Sequence, residues 1–466
     1  RIPDEFSSGL AARGGWRHRL APHALGTRGV PPVDQAGVPQ RRGTGVTETA
    51  PTARARTQLP SRRHTRAMRA AVSVSATMAA AVLTIAAIPM AGAEQGGGAS
   101  TRRSEPQAPP NISVPHLTGI FVSLDSTTAE RSVDVWVADL AAMKAVGIKW
   151  FCVRAVLASS STPAASPACP FGGFVAYFPL GDHPPACTRA AVPGVDTIGT
   201  VLAAAERVGL TVHLGLAFGD NGQVPAWMNS TEFYRTYAGF NWGVAQQVWA
   251  VYGDRYYEVL GGWYTGIEES NSLGELALMK DLAGHYLEPL ARDLRNLTAG
   301  SKALPNKTMP IWASPYYVGN LTRDPETSYM TPRFYADWWE QMFHLVPDLD
   351  FIAPQDSMGA QGNSFANVTT FLTELAAASA RAGRRILSNV ELFEVWPYDC
   401  PWTPKSGACH GRHPASFERI KEQMANEAPL ANELIAWEWH SCLSPFGTSN
   451  ATAAVYQQYL AYIQNG

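Results

Sequence analysis

The chain has 466 residues, of which 46% are hydrophobic and 16% are charged, so it is long and apolar enough to bury a large core. Its 37 Lys and Arg residues against 39 Asp and Glu residues give a formal net charge of −2. This near-neutral balance gives no reason to expect a nucleic acid as a partner.

The first 67 residues differ in composition from the rest of the chain. They begin at Arg1 rather than Met, are rich in Arg, Gly and Pro, and show no lasting hydrophobic period. We expect residues 1–67 to be a non-native or disordered leader, either translated upstream sequence or a basic tail.

A new pattern starts at Met68 and predicts a secretory signal peptide over residues 68–93. It combines positive charge, an apolar run too short for a confident membrane span, and a signal-peptidase site, at Arg66 and Arg69, Ala79–Ile88 and Ala91-Gly92-Ala93 respectively. Residues 94–114 are rich in Gly, Ser and Pro, which predicts a flexible linker.

Glycosylation sequons support the same interpretation. Seven of the fifteen Asn residues after the signal peptide begin an Asn-X-Ser/Thr sequon, where roughly two would be expected from ordinary Ser and Thr frequencies. They are Asn111, Asn229, Asn296, Asn306, Asn320, Asn367 and Asn450. We therefore predict a secreted glycoprotein with no stable membrane span once the signal peptide is removed.

All six cysteines also follow the signal peptide, which suits an oxidising compartment. Two pairs bracket Pro-rich segments, and we predict one disulfide for each pair: Cys169 with Cys187, and Cys400 with Cys409. The sequence leaves open whether Cys152 and Cys442 pair with each other.

From Leu117 onward, short apolar runs alternate with longer amphipathic segments. The strand candidates are 117–125, 149–158, 211–219, 260–269, 309–319, 349–359, 384–394 and 433–445. The helix candidates are 132–146, 195–208, 230–252, 272–297, 331–345, 366–382, 415–428 and 451–463. Gly147, Gly209 and Gly383 directly follow three of these helices, where a left-handed residue is needed.

Such alternation predicts parallel strands joined by helical crossovers. Eight units in about 350 residues fit a closed (β/α)8 TIM barrel, which we predict for residues 115–466. The rival fold is an open doubly wound sheet, and no Gly-rich phosphate loop follows the first strand to support it.

In a TIM barrel the active site lies at the carboxyl ends of the strands. Carboxylates at the ends of the fourth and seventh strands face each other across the barrel, and glycoside hydrolysis needs two carboxyl groups that flank the bond. Glu268 and Glu391 are therefore the candidate catalytic residues. Glu269 remains an alternative to Glu268, since successive side chains in a strand point to opposite faces. For Glu269, Glu394 and Glu438, an ion pair or a helix cap is the better interpretation.

Ten further residues near the strand ends are candidate sugar contacts. They are Asp125, Arg154, Trp263, Tyr264, Tyr316, Tyr317, Gln355, Asp356, Asn389 and Trp439. Aromatic rings stack on sugars, as Trp396 and Trp402 could also do, but packing is an equally common reason for such rings. We expect no metal or other cofactor, because His213 and His440 form neither a His-x-His nor a His-Glu-x-x-His pattern.

Four segments together resemble an uncharacterised barrel family that is grouped with the TIM-barrel glycoside hydrolase superfamily. They are Gly262-Trp263-Tyr264 with Glu268, Ser314-Pro315-Tyr316-Tyr317, Gln355-Asp356-Ser357-Met358-Gly359, and Asn389-Val390-Glu391-Leu392-Phe393. The likeness spans residues 115–465, and its spacing from Trp263 and Asn389 favours Glu268 and Glu391.

The fourth- and seventh-strand glutamates resemble those of the retaining glycosidases in that superfamily. The resemblance implies that Glu268 is the acid/base and Glu391 the nucleophile, although Ile267 stands where those enzymes usually have Asn. It implies a secreted retaining glycoside hydrolase that acts on a poly- or oligosaccharide. The alternative is a carbohydrate-binding barrel without catalysis, because TIM barrels host many functions.

Overall fold

A computed structural model describes residues 113–159, 171, 173–181, 187–218, 230–299, 307–321, 328–395, 412–447 and 449–466. All of them belong to the second of two units into which the chain divides, Ser104–Gly466. The predicted leader and signal peptide lie outside the described residues.

Eight parallel strands close into a barrel, which confirms the predicted TIM-barrel fold. Their order around the barrel follows the chain, and the last strand pairs with the first. The barrel strands are β1 (Leu117–Val122), β2 (Trp150–Val153), β6 (Thr211–Gly215), β8 (Leu260–Tyr264), β9 (Ile311–Ala313), β10 (Phe351–Ile352), β11 (Arg385–Glu391) and β14 (Glu433–Trp437).

Helices follow the strands, close to the predicted positions. They are α1 (Val133–Ala145), α2 (Thr197–Val208), α3 (Thr231–Tyr252), α4 (Leu273–Leu282), α5 (Glu288–Ala299), α6 (Pro332–Leu345), α7 (Phe365–Arg381), α8 (Phe417–Glu427), α9 (Trp439–Cys442) and α10 (Asn450–Asn465). A π-helical turn, Ala283–Leu287, joins α4 to α5, so the helix predicted over 272–297 is interrupted.

Side-chain caps explain where these helices begin. In nine of them the residue before the first turn accepts a backbone N–H that has no partner within the helix. These capping residues are Ser132, Asp196, Ser230, Ser272, Thr331, Ser364, Ser416, Glu438 and Ser449. At the helix ends, the left-handed glycines are confirmed: Gly147, Gly209 and Gly383 have φ of 89°, 74° and 67°.

Two small sheets accompany the barrel. One contains β3 (Leu157–Ser159), β4 (Phe174–Ala176), β5 (Thr188–Ala190) and β7 (Ala217–Phe218), and the other pairs β12 (Phe393–Val395) with β13 (Arg412–Pro414). They follow the second, third and seventh barrel strands, so they extend the carboxyl-terminal end of the barrel, which we call the mouth.

Aromatic side chains fill the barrel interior below the mouth. The Phe121 ring lies 5.3 Å from Tyr264, 5.5 Å from Trp312 and 5.1 Å from Trp437. Lower down, Trp312 donates its indole N–H to Nδ1 of His213 over 3.0 Å. Burial, followed by the Lys307 charge, lowers the pKa of His213 to about 3, so this histidine is a neutral part of the core.

The cysteine predictions have mixed outcomes. Cys187 is disulfide-bonded, while its predicted partner Cys169 lies outside the described residues, as do Cys400 and Cys409. Cys152 and Cys442 are free and buried, so they do not pair. In the described part of the chain, no helix is long and apolar enough to cross a membrane.

The four described sequons differ in how far their Asn side chains are available. Asn296, Asn320 and Asn450 are exposed, whereas Nδ2 of Asn367 donates to the Gly319 carbonyl and its Oδ1 caps α7. We therefore expect glycans at some of the exposed sites and none at Asn367. Glycopeptide mass spectrometry of secreted protein would test this, and an occupied Asn367 would contradict it.

Candidate active site

Glu391 is the last residue of β11 and lies at the mouth. Alternation along β11 points Leu387, Asn389 and Glu391 to one face and Ser388, which contacts α8, to the other. Glu391 is only 1% exposed, and its Oε2 accepts the Ala360 N–H over 2.6 Å.

The environment of Glu391 favours its protonated form. Burial and the neighbouring Asp356 carboxylate raise the pKa of Glu391 to about 8. The Ala360 N–H and the Arg412 and Arg419 guanidinium groups act in the opposite direction. The carboxyl group therefore gains or loses its proton near physiological pH.

Glu268 and Glu269 do not lie within a strand. β8 ends at Tyr264, and Gly266 adopts φ 77° in the segment that follows. The expectation that strand alternation separates the two glutamates is therefore wrong, because the backbone has already left the extended conformation. Burial distinguishes them instead: Glu269 is 1% exposed and Glu268 is half-buried.

The charge of Glu268 affects the pKa values of two other side chains at the mouth, Tyr264 and Arg412. Burial raises the pKa of Tyr264, the Glu268 charge raises it further, and Arg154 opposes both. Desolvation lowers the pKa of Arg412 to about 10, although this residue keeps part of its surface exposed. The charges of both Glu391 and Glu268 act on the Arg412 guanidinium, so the two glutamates interact with the same cation.

Near the mouth, the Arg154 guanidinium lies over two aromatic rings, those of Phe218 and of Trp437, which is 9% exposed. The Arg154 guanidinium lies 3.7 Å from the Phe218 ring centre and 4.8 Å from that of Trp437. Such stacking holds the guanidinium in place. An indole at a strand end with an adjacent cation suits a sugar ring, which offers both apolar faces and hydroxyl groups.

The motif residues of the fifth, sixth and seventh strands lie side by side. Gln355 donates to the Ser314 carbonyl over 3.0 Å, and Asn389 donates to Ser314 Oγ over the same distance. Isolated bridges pair Tyr316 with Gln355 and Gln355 with Asn389. Tyr316 and Gln355 are half-buried, so this row combines two partly exposed candidates with the fully buried Asn389.

Four of the proposed sugar contacts lie away from the mouth. Trp263 packs against Trp249 of α3, and Tyr317 stacks on Phe371 of α7 with ring centres 4.3 Å apart. Trp439 donates to Asp139 of α1 over 2.6 Å.

The fourth is Asp356, which is fully buried and accepts from Gln423 of α8. The sequence placed these four at strand ends, but each points outward to a helix or into the packing around it. They are therefore not candidate sugar contacts.

Tyr264 and Asp125 have structural roles that the sequence did not reveal. Tyr264 is 1% exposed within the aromatic core. The carboxylate of Asp125 accepts the backbone N–H groups of Thr127 and Thr128, which orders the segment after β1. Trp396 and Trp402, which the sequence offered as further stacking rings, lie outside the described residues.

The structural interpretation of two glutamates is confirmed. Glu394 forms an ion pair of 3.2 Å with Arg419, and Glu438 caps α9 by accepting from His440 and Ser441.

The sequence analysis missed two residues near the mouth, Trp437 and Arg412. Trp437 is the last residue of its strand, which was a usable signal. Arg412 follows a segment of 16 residues outside the description (396–411), and no sequence pattern marks it.

A cavity of about 530 Å³ lies at the opposite end of the barrel. Its lining includes Lys149, Trp150, Arg385 and Glu433, which belong to the amino-terminal ends of strands. That end serves stability in this fold, whereas the carboxyl ends carry catalysis, so we place the candidate site at the mouth. Among the described residues, no group of three or more His, Cys, Asp or Glu side chains could hold a metal ion.

Comparison with solved structures supports the fold. A protein from Bacteroides thetaiotaomicron described as "a putative alpha-L-fucosidase" is 18% identical, with a TM-score of 0.54, over 79% of this chain and 99% of its own. A Cellvibrio japonicus xylanase mutant is 11% identical over 74% and 97% of the two chains, with a TM-score of 0.39, too low to add support. At such identities the first similarity shows the fold alone.

A comparison with curated proteins finds no match. Residues 117–449 match a family model described as a domain of unknown function, DUF4434. This range covers the barrel from its first strand to the cap of its last helix. The chain belongs to the DUF4434 family, and its barrel has the same fold as that Bacteroides protein.

Proposed function

We propose that the barrel is a retaining glycoside hydrolase in which Glu391 is the nucleophile and Glu268 the acid/base. The observation that carries this proposal is the placement of Glu391 at the end of the seventh barrel strand and of Glu268 just after the fourth, which brings both carboxyl groups to the mouth. The charges of both also act on the Arg412 guanidinium. Glycoside cleavage needs two carboxyl groups on either side of one bond, and their common neighbour supports such an arrangement.

Each residue then has a defined step. Glu391 attacks the anomeric carbon while Glu268 protonates the departing oxygen, so the glycosidic bond breaks as a glycosyl ester forms. Glu268 next removes a proton from water, and the water oxygen displaces Glu391 from the same carbon. Trp437 and Arg154 would bind the sugar, since they lie together near the mouth.

Substitution of the two glutamates should have different effects. Glu391→Gln keeps shape and hydrogen bonding but removes the attacking charge, so we expect a loss of at least about 1000-fold in kcat with binding retained. Glu268→Gln should impair substrates with poor leaving groups by about 100-fold or more, and spare activated aryl glycosides. Added azide should then restore part of the rate.

These assays use a panel of 4-nitrophenyl glycosides that begins with the α-L-fucoside, because of the description of the similar Bacteroides protein. Glu269→Gln tests the choice between the neighbouring glutamates: if it is the damaging change and Glu268→Gln is mild, Glu269 is the acid/base. Full activity in all three variants would refute the two-glutamate mechanism. Sugar binding without turnover by wild type would favour the non-catalytic lectin alternative.

The raised pKa of Glu391 predicts the pH dependence of the free enzyme. A nucleophile must be ionised, so on an activated aryl glycoside, whose leaving group needs no proton from Glu268, kcat/KM should rise with pH until it levels off above about 8, the pKa of Glu391. A kcat/KM that stays constant through this range would contradict the assignment of Glu391 as the nucleophile. Initial rates from pH 5 to 9, with substrate well below KM, distinguish these outcomes.

We also propose that the protein is secreted after cleavage behind Ala93, from the charge, apolar run and small residues of 68–93. Amino-terminal sequencing of secreted protein should begin at Glu94. Peptides from residues 1–67 in the secreted protein would contradict both the cleavage site and the interpretation of the leader.

A further inference from the structure

Three buried carboxyl groups surround the end of β11. Asp356 and Glu427 are fully buried and Glu391 is 1% exposed. Neighbouring carboxylates in a buried site repel each other, and proteins relieve this repulsion by keeping one of the carboxyl groups protonated. The hydrogen bonds of the cluster indicate which group keeps it.

The surroundings of Asp356 suit an anion. Its Oδ1 accepts the backbone N–H groups of Met358 at 3.0 Å and Glu391 at 3.3 Å. Its Oδ2 accepts from Nε2 of Gln423 at 2.5 Å. Three N–H donors directed at one carboxyl group stabilise its ionised form.

The surroundings of Glu427 suit a protonated acid. Ser388 Oγ lies 2.5 Å from its Oε2, and in the described part of the chain no donor hydrogen reaches its Oε1. The side chain forms a hydrogen bond with Asp356. Two carboxyl groups form such a bond only when one of them carries a proton, and Asp356 is the one already supplied with donors.

The charged and titratable groups that face the cluster agree with this assignment. Arg419 of α8 lowers the pKa of Asp356 against the effect of burial, while burial and the Asp356 charge raise that of Glu427. Tyr317, after β9, is buried beside the same carboxyl groups. Arg412 of β13 acts on Glu391.

The ionised Asp356 is connected directly to Glu391. By accepting the Met358 N–H, it fixes the turn that continues through Gly359 to Ala360, whose N–H holds Oε2 of Glu391. This turn has little freedom, since a Cβ added at Gly359 would lie 2.2 Å from the Phe393 carbonyl oxygen. A shift of Asp356 would therefore move the donor that orients Glu391.

We propose that Glu427 is a positioning residue for Glu391: it shares one proton with Asp356, and the pair orders the 356–360 turn that holds the Glu391 carboxyl group. The proposal rests on the proposed function, in which Glu391 attacks the substrate. Glu427 itself contacts the cluster from α8 and does not reach the mouth.

Two substitutions of Glu427 distinguish the effect of its proton from the effect of its side-chain volume. Glu427→Gln retains a donor towards Asp356 and an acceptor for Ser388, so it mimics the protonated acid. Glu427→Met fills a similar volume without a donor. Hydrogen exchange of a peptide covering 356–361, measured by mass spectrometry on the whole protein, reports on the turn without any substrate.

We expect exchange in Glu427→Gln within about twofold of wild type, and exchange in Glu427→Met at least about tenfold faster, because a buried hydrogen bond is lost. On any aryl glycoside that wild type cleaves, Glu427→Met should lower kcat about tenfold or more with KM nearly unchanged. Phe417→Ala is the control, since it weakens the packing of the same helix against Tyr459 and Tyr462 of α10. It should lower the melting temperature but leave the exchange of the turn and kcat unchanged well below that temperature.

Stability against pH gives a second readout independent of turnover. Glu391, Asp356 and Glu427 all have raised pKa values, so the folded protein retains protons that the unfolded chain releases above about pH 4.5. The free energy of unfolding in urea should therefore fall as pH rises from about 5 to 8. This fall should be shallower in Glu427→Gln, which has one such group fewer.

Two results would overturn the proposal: exchange in Glu427→Gln as fast as in Glu427→Met, or no change of exchange in either variant. The first would mean that a charge on Glu427 is required, and the second that the pair does not order the turn. If wild type cleaves no glycoside while the exchange and stability results are as expected, the hydrolase function fails and the ordering of Glu391 by the shared proton stands.

Discussion

The parallel pairing of β1 with β14 is the constraint on which the candidate site depends. Closure of the sheet turns eight strand ends into one ring, so that Glu391 at the end of β11 and Glu268 after β8 come to the same mouth. An open sheet with the same strands would spread these residues along an edge. The charge interactions of both glutamates with Arg412 are a consequence of this closure.

Closure of the barrel also places a requirement on the helices that surround it. The outward faces of β10 and β11 must be covered by helices, and α8 covers them partly with polar groups, Gln423 and Glu427. Buried polar groups are tolerated only when their hydrogen bonds are satisfied, so the outer layer must be organised as a network. The network includes Asp356, which orders the turn that holds Glu391. The outer packing of the barrel is thereby connected with its mouth.

The aromatic residues illustrate how far sequence reasoning extends. It located Trp263, Tyr317 and Trp439 near strand ends, yet all three pack against helices or buried polar groups. A strand with both faces buried lacks the alternation of polar and apolar residues that would identify its inner face. Trp437, which instead packs inside the barrel next to Arg154, has the same local sequence character as these three.

The sequence by itself determined the barrel architecture and the position of Glu391 at the end of the seventh strand. Strand and helix periodicity, Ser and Thr caps, and glycines such as Gly209 are local signals, and each acts within a few residues. Only the tertiary structure decided that Asp356 lies behind the barrel wall, that β8 ends before Glu268, and that the charges of both glutamates act on Arg412. Those facts depend on burial and on contacts between residues far apart in the chain, and the free energy of such contacts is not encoded in any local pattern.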